Sequence, residues 1–317
     1  MVKLGRFQYV GWVAETTAGD NPAVANTDYH LAENVQVGLE GDEIDRVGNL
    51  GSLDGMAKVT GGVMSTISFT TEIKGGGDTS TAPVDLPLWK ASGFATSDSA
   101  YSYTMSQDST PTDTVTIVYW ADGLRWILTG CVGTCDLALD AGNIGKVNWT
   151  FTGLMRRIPE DATNPTPDYN TTVPPICQAV ATFTVGGETD FGITRSITLD
   201  MGNEVTTRRS MTGSDAKAFG YEVPQITRRL GTGTMTLEMP SVSAFDWNTK
   251  WKDKTKLDVA FVLGTASFNK VTYDWDMVVN SAPTVSDTDG LLMYDISFDL
   301  VTDDLSGNDS FSFTYNN

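Results

Sequence analysis

The chain has 317 residues, enough for one large or two medium domains that each bury a proper core. Forty acidic residues against 21 basic give a net charge of −19, while 40% of the residues are hydrophobic, which excludes a disordered acidic tail. The charge also excludes ordinary nucleic-acid binding, because affinity for phosphate comes from Lys and Arg releasing condensed counterions.

Met1 to Thr17 hold Lys3 and Arg6 but no uninterrupted apolar stretch, so neither a signal peptide nor a membrane anchor is predicted. Residues 1–33, punctuated by Ala18-Gly19-Asp20-Asn21-Pro22, read as an N-terminal arm or edge element rather than core. A first β unit is predicted over 34–158. It opens with a strand from Asn34 to Ile44. Val63, Ile67, Phe69 and Ile73 then alternate with Thr66, Ser68, Thr70, Glu72 and Lys74, the pattern of a strand with one buried and one wet face. Pro83 to Ala91, closed by Gly93, predicts a helix that Pro87 limits to a turn or two. Further strands run through Val115-Ile117-Tyr119, Ile127 to Leu139 and Val147-Trp149-Phe151. Pro159, Pro165, Pro167, Pro174 and Pro175 make 159–176 a stiff linker and the domain boundary.

A second unit over 177–317 repeats the programme. Ile197-Leu199-Met201 and Met235-Leu237-Met239 alternate with polar residues, and Ser241 to Lys252 predicts the matching short helix with Ser243 as its cap. Leu257-Val259-Phe261, Tyr273-Trp275-Met277 and Met293 to Leu300 supply the remaining strands. The run Ser196 to Val205 echoes Asn34 to Ile44, so the order of elements is an internal duplication. The predicted class is mainly β: two related β-sandwich or open-barrel units, each with one short flanking α-helix.

Little in the chain points to catalysis or to a cofactor. His30 is the sole histidine, which removes the usual general base and zinc ligand. Cys131, Cys135 and Cys177 suit neither a disulfide framework nor a zinc site; the first two share a strand face about 13 Å apart and read as buried thiols. Asp274 with Asp276, and Asp295 with Asp299, have glycosidase-like pairing but lie at the spacing of a solvated strand face. Asp287-Thr288-Asp289-Gly290 starts like a calcium loop without its later ligands, which makes it a turn. Gly61-Gly62 and Gly75-Gly76-Gly77 lack the Lys-Ser or Lys-Thr of a phosphate loop. Asn148-Trp149-Thr150 and Asn170-Thr171-Thr172 fit the glycosylation pattern, which carries little meaning without secretion.

Two sets of charged residues carry more. Arg208, Arg209, Arg228 and Arg229 flank a long loop, with Arg46 in the equivalent loop of the first copy, and such arginines can hold carboxylates of a neighbouring subunit. Glu40 answers to Asp200 and Glu72 to Glu238, each on the polar face of the first two strands of its unit. If those faces line a common surface, repeated copies ring it with negative charge; otherwise they are simply wet strand faces.

Taken in order, several segments resemble the tail tube proteins of tailed bacteriophages over most of the chain. They are Gly62 to Gly77 followed by Ala82-Pro83-Val84-Asp85-Leu86-Pro87-Leu88-Trp89-Lys90-Ala91-Ser92-Gly93-Phe94, then Gly130 to Gly142, Val147 to Gly153, Ile226 to Gly233, and Asp287 to Leu291 leading into Tyr294 to Leu300. The resemblance implies a structural virion protein of the tail, with no catalytic activity, that joins copies of itself into stacked rings forming the hollow conduit for genome ejection. Its implied partners are itself, other tail proteins and DNA that passes without tight binding. The loops Asp42 to Thr60 and Asn203 to Thr227 would reach the next ring. With two units per chain, homotrimeric pseudo-hexameric rings and hexameric rings both fit, as does a second unit that decorates the wall. The alternative is a secreted-type β-sandwich that binds carbohydrate, with Trp120, Trp126, Trp149, Trp247 and Trp251 as stacking rings.

Overall fold

The computed structural model describes residues 7–48, 55–77, 81–99, 102–161, 163–178, 183–211, 220–303, 305 and 307–316. Strand β1 (Gln8–Ala14) is followed by β2 (Tyr29–His30), β3 (Glu33–Ile44), β4 (Val59–Glu72), helix α1 (Leu86–Ala91), β5 (Phe94–Ser99), β6 (Ser102–Gln107), β7 (Val115–Ala121), β8 (Leu124–Asp140) and β9 (Lys146–Asp161). A coil leads to β10 (Thr184–Val185), β11 (Thr194–Asp200), β12 (Asn203–Arg209), β13 (Tyr221–Arg229), β14 (Thr232–Glu238) and helix α2 (Trp247–Lys252). The chain closes with β15 (Lys256–Leu263), β16 (Lys270–Val279), β17 (Thr284–Thr288), β18 (Leu291–Leu300) and β19 (Phe311–Asn316). The fold is mainly β, with two short α-helices among the described residues, as the alternating pattern predicts.

The strands form two antiparallel layers. One, the wall, runs β3-β4-β9-β8-β11-β14-β18-β17. The other runs β10-β15-β16-β19-β6-β5. Odd-numbered residues of the wall strands (Ile67, Phe69, Trp149, Leu137, Leu199, Leu237) share one continuous apolar cluster with Tyr273, Phe311 and Phe313 of the second layer. Trp89 of α1 joins the layers, its ring 4.8 Å from that of Trp149 and 4.4 Å from that of Phe313. Asp85, just ahead of α1, is buried and accepts hydrogen bonds from Tyr315 Oη at 2.6 Å and Trp89 Nε1 at 2.9 Å, which ties the helix to the C-terminal strand.

Both layers cross between the two halves of the chain. In the wall, β8 pairs with β11; in the second layer, β19 pairs with β6. A left-handed glycine permits the first crossing. Gly130 (φ +60°) bends β8, so that the segment before it lies along β7 and the segment after it is free to meet β11.

The structure departs from several expectations. The lead-in is not an arm throughout: β1 pairs with β7 over seven residues and buries Val10 and Trp12, because its short Val-Gly-Trp alternation completes the sheet there. The coil over 163–178 is docked on the body, with Lys74 Nζ donating to Asn170 O, Asn269 Nδ2 to Val173 O, and Cys177 N to Asn143 O. Its prolines stop strand formation without preventing contact. The cap of α2 is Asp246, whose carboxylate accepts from Thr249 N at 3.1 Å, rather than Ser243.

The loop Asn203 to Thr227 does not extend away from the chain in its described parts. β12 and β13 form a ribbon whose Tyr221 and Val223 cover Met64 and Leu154 of the first unit. The ribbon continues the β11–β14 hairpin beyond a bend at Gly202 (φ +59°), where any Cβ would run into the Leu230 carbonyl oxygen. Its partner in the first unit is the unbroken β3–β4 hairpin, paired out to Ile44 opposite Val59. The tips of both hairpins, 49–54 and 212–219, lie outside the described residues.

Candidate functional site

Outside the patch of Met64 and Leu154 under the β12–β13 ribbon, the even-numbered residues of β4, β9, β8 beyond Gly130, β11 and β14 and the odd-numbered residues of β18 stand on the face opposite the core. They are chiefly hydroxyl, amide and carboxylate groups: Thr66, Ser68, Thr70 and Glu72 on β4, Asn148 and Thr150 on β9, Thr134, Asp136 and Asp140 on β8. The second unit adds Ser196, Thr198 and Asp200 on β11, Thr232 to Glu238 on β14, and Asp295, Ser297 and Asp299 on β18. Hydrogen bonds run across the strands. Thr70 Oγ1 donates to Asn148 Oδ1 at 2.8 Å, Thr198 and Thr234 hydroxyls lie 2.6 Å apart, and Thr236 Oγ1 donates to Asp295 Oδ1 at 2.8 Å. Because these groups satisfy one another, the face stays polar rather than presenting isolated charges. Where the units meet, it holds a concavity of about 550 Å3 bordered by Asp136, Asn148, Asp200, Thr232 and Ser297.

The four acidic residues singled out in the sequence all point to this face, in different surroundings. Asp200 is exposed at the junction, opposite Asp136 of β8 and Thr232 of β14. Glu238 is half-buried opposite Met293. Glu72 is half-buried, 3.9 Å from the ammonium of Lys74, while Lys146 opposite it on β9 donates to Glu33 at 2.6 Å. Glu40 is exposed opposite Met64, whereas Asp200 pairs with the residue that corresponds to Thr66. The register therefore sets Glu40 one pleat nearer the hairpin tip than Asp200, and Gly38 is the structural counterpart of Asp200.

Asp136 was not evident as a site residue. Its strand alternates correctly, but only the pairing of β8 with β11 brings it to Asp200. Partial burial, and after it the Asp200 carboxylate, raise the Asp136 carboxyl to about 6 from an ordinary 3.8. The pair thus holds a proton more readily than an isolated carboxylate. A folded-state pKa above the unfolded value means a stabilising contribution that is full below pH 3.8 and is lost as pH rises through about 6. Replacing Asp200 by Asn is expected to return Asp136 towards the ordinary range, read by NMR titration of its carboxyl carbon. The stability change at pH 7 should be favourable and no more than about 1 kcal/mol, since water screens so open a pair.

The arginines divide into two groups. Arg229 is half-buried inside the chain: Nη2 donates to Gly93 O at 2.6 Å, Nε donates to Asn203 Oδ1 at 3.0 Å, and the guanidinium lies 5.6 Å from the Phe94 ring. Arg209 donates to Asp42 Oδ1 at 3.0 Å and lies over Tyr221, whose hydroxyl donates to the other Asp42 oxygen at 2.8 Å. These two fasten the second unit to the first within one chain, because the ribbon folds back rather than outwards. Arg46, Arg208 and Arg228 are exposed.

Among the described residues, no nucleophile, base and acid are brought together on this face. His30 is half-buried against Trp12, ring centroids 4.3 Å apart, and burial with the nearby Lys74 charge lowers its pKa to about 4. Burial raises all three thiols, well above the ordinary range for Cys131 and Cys135 and to about 11 for Cys177. Asp287 Oδ1 accepts from Gly290 N at 3.1 Å, closing the β17–β18 turn, and among the described residues no cluster of three His, Cys, Asp or Glu is placed to hold a metal. Trp120, Trp149 and Trp247 are buried with their indole N–H groups donating to Tyr29, Thr71 and Phe191 respectively, so they are not stacking surfaces. Trp126 and Trp251 are half-buried.

The described strands thus form a two-layer β structure with a long hydroxyl and acidic sheet face opposite its core. The family model described as phage tail tube protein matches residues 5–300, nearly the whole chain. The chain belongs to that family, which places it in the virion tail as a structural component. No curated protein matches it. No helix among the described residues is long and apolar enough to cross a membrane.

Proposed function

We propose that copies of this chain close into stacked rings, that the polar face of the wall lines the lumen, and that the resulting tube conducts the genome without catalysing a reaction. The observation that carries this reading is the position of the concave, acidic face: it lies opposite the core, the second layer and both helices. A ring closed through the wall can hold those bulky elements outside, where there is room, and leaves the polar strand face inside. Three chains would supply six units and 3 × 8 = 24 wall strands, counted from eight per chain. At about 4.8 Å between strands, such a barrel is roughly 37 Å across at its backbone before tilt, wide enough to stay open. Three chains also carry 3 × −19 = −57 charges, and the part on the lumen repels phosphate, so DNA slides instead of lodging. The exposed Arg46, Arg208 and Arg228 are then available to carboxylates of neighbouring chains and other tail proteins.

Electron microscopy of the purified protein tests the assembly, with rings or tubes as the expected result and dispersed monomers at every concentration as the opposing one. A virion carrying Asp200→Lys and Glu238→Lys tests the lumen. These two are chosen because Glu72 already has the Lys74 ammonium beside it. Particles are expected to assemble, and ejection to slow several-fold or stall at about 50 mM salt and to recover towards 200 mM, since the added ammonium groups hold phosphate by a salt-sensitive attraction. Unchanged ejection kinetics would remove the lumen assignment.

A further inference from the structure

The chain contains one complete junction between its units and two unmatched halves of another. Inside it, β8 pairs with β11, with Asp136 opposite Asp200, Leu137 opposite Leu199 and Ala138 opposite Thr198. The strands at the corresponding places on the far ends of the wall are β17 and β3. Among the described residues each is paired on one side alone, β17 with β18 and β3 with β4.

Register fixes the correspondence. Thr66, Ser68, Thr70 and Glu72 on β4 match Thr232, Thr234, Thr236 and Glu238 on β14. Crossing two strands from Thr70 leads through Asn148 to Asp136, and from Thr236 through Asp295 to Thr284. Crossing one strand the other way leads from Ser68 to Gln36 and from Thr234 to Thr198. Thr284, Val285 and Ser286 are therefore the counterparts of Asp136, Leu137 and Ala138. Gly38, Val37 and Gln36 are those of Asp200, Leu199 and Thr198.

We propose that the β17 edge of one copy pairs antiparallel with the β3 edge of a second copy in this same register: Thr284 opposite Gly38, Val285 opposite Val37 and Ser286 opposite Gln36. The proposal rests on the tube reading and specifies its subunit contact. Burial supports it. Leu137 and Leu199 are each 1% exposed at the internal junction, whereas Val285 is 55% exposed at the equivalent position. A covering strand would seal that valine as the internal junction seals its leucines, and would satisfy two open strand edges at once. Charge agrees as well, since the internal junction tolerates two facing carboxylates and the proposed one sets a hydroxyl against a glycine. The contact joins unlike edges, so it propagates from copy to copy instead of ending at a dimer, and gives a ring where the rotation between copies closes.

Two double variants test the register, Val285→Cys with Val37→Cys, and Ser286→Cys with Gln36→Cys. Adjacent antiparallel pairs alternate in hydrogen bonding and in Cα separation, so one of the two suits a disulfide. Within one chain the paired positions are seven strand spacings apart, roughly 33 Å along the sheet, which excludes an internal bond. Oxidised particles run on a non-reducing gel should give a ladder of covalent dimers and larger species from at least one double variant, with single variants remaining monomeric. Assembled particles that yield monomers from both double variants would overturn the contact while leaving the tube reading intact. Dimers from the single variants would also overturn it, by showing like edges together. Val285→Lys, at an exposed position, should give a folded monomer that forms no particles; particles at the wild-type yield would count against the proposal. If the wild-type chain formed no particles under any condition, the tube reading itself would fall, and this contact with it.

Discussion

An Asp85→Asn variant is expected to be more stable than the wild-type chain at pH 7, by about 3 kcal/mol, and to lose that advantage below about pH 4. Burial raises the Asp85 carboxyl from 3.8 to about 6, against the opposing effect of its hydrogen bonds from Tyr315 and Trp89. The shift is about two pH units in a fully enclosed group, each worth about 1.4 kcal/mol. The sign follows from linkage: the folded-state pKa lies above the unfolded one, so the associated stability is complete below pH 3.8 and disappears as pH rises through about 6. Asparagine keeps an acceptor for both donors and carries no charge to desolvate. Its second polar atom takes the place of Oδ1, which has no partner in the wild-type chain either, so the two are alike at low pH. Asp136, Asp274 and Asp276 are shifted in the same direction, which makes the difference between variant and wild type, measured by urea denaturation across pH 4 to 7, the informative quantity. Asp85→Ala separates the two contributions. At about pH 4 it should be less stable than wild type by roughly 2–4 kcal/mol, because two buried donors lose their acceptor.

Trp149→Ala is expected to cost about 3–5 kcal/mol, read as a lower urea midpoint. The side chain is fully buried, stacked on Phe151 at 5.9 Å and edge-on to Trp89 at 4.8 Å, and its indole N–H donates to Thr71 at 2.8 Å. Truncation opens a void that the two rigid sheets cannot close, and it strands the Thr71 hydroxyl. Trp149→Phe should recover more than half of the loss, since it refills most of the volume and forfeits only the hydrogen bond. A cost below about 1 kcal/mol would mean that the layers are free to collapse around the gap, contrary to a core shared between both halves of the chain.

Much of the fold was legible because a strand's two-residue period sorts side chains onto faces locally. Ile67, Phe69, Trp149, Leu199 and Leu237 declare the core side of the wall, and Ser68, Glu72, Thr198, Asp200 and Glu238 its wet side, without knowledge of any neighbour. The two helices were equally local, bounded by Pro87 and Gly93 in one case and carried by Trp247 and Trp251 in the other. β1 was missed because its alternation is too brief to stand out among glycines and asparagines. Its strand character comes from the edge that β7 offers it. The contacts that Arg209 and Arg229 make within the chain were not legible for a related reason. Arginine-rich loops look alike whether they fold back or outwards, and the bend at Gly202 gains meaning only once Leu230 is found beside it.

The amino-acid sequence by itself determined the mainly β class, the polar and apolar faces of each strand and the acidic surplus. All of these depend on residue types and on spacings within a few positions. Only the tertiary structure decided which strands are neighbours: that β8 meets β11, that Asp136 faces Asp200, that the wet faces on either side of that junction are continuous, and that β3 and β17 are left at the ends of the wall. Strand order is set by pairings between residues far apart in the chain, and backbone hydrogen bonding is nearly blind to side-chain identity. Many orders therefore satisfy the same local pattern, and the shared core selects among them.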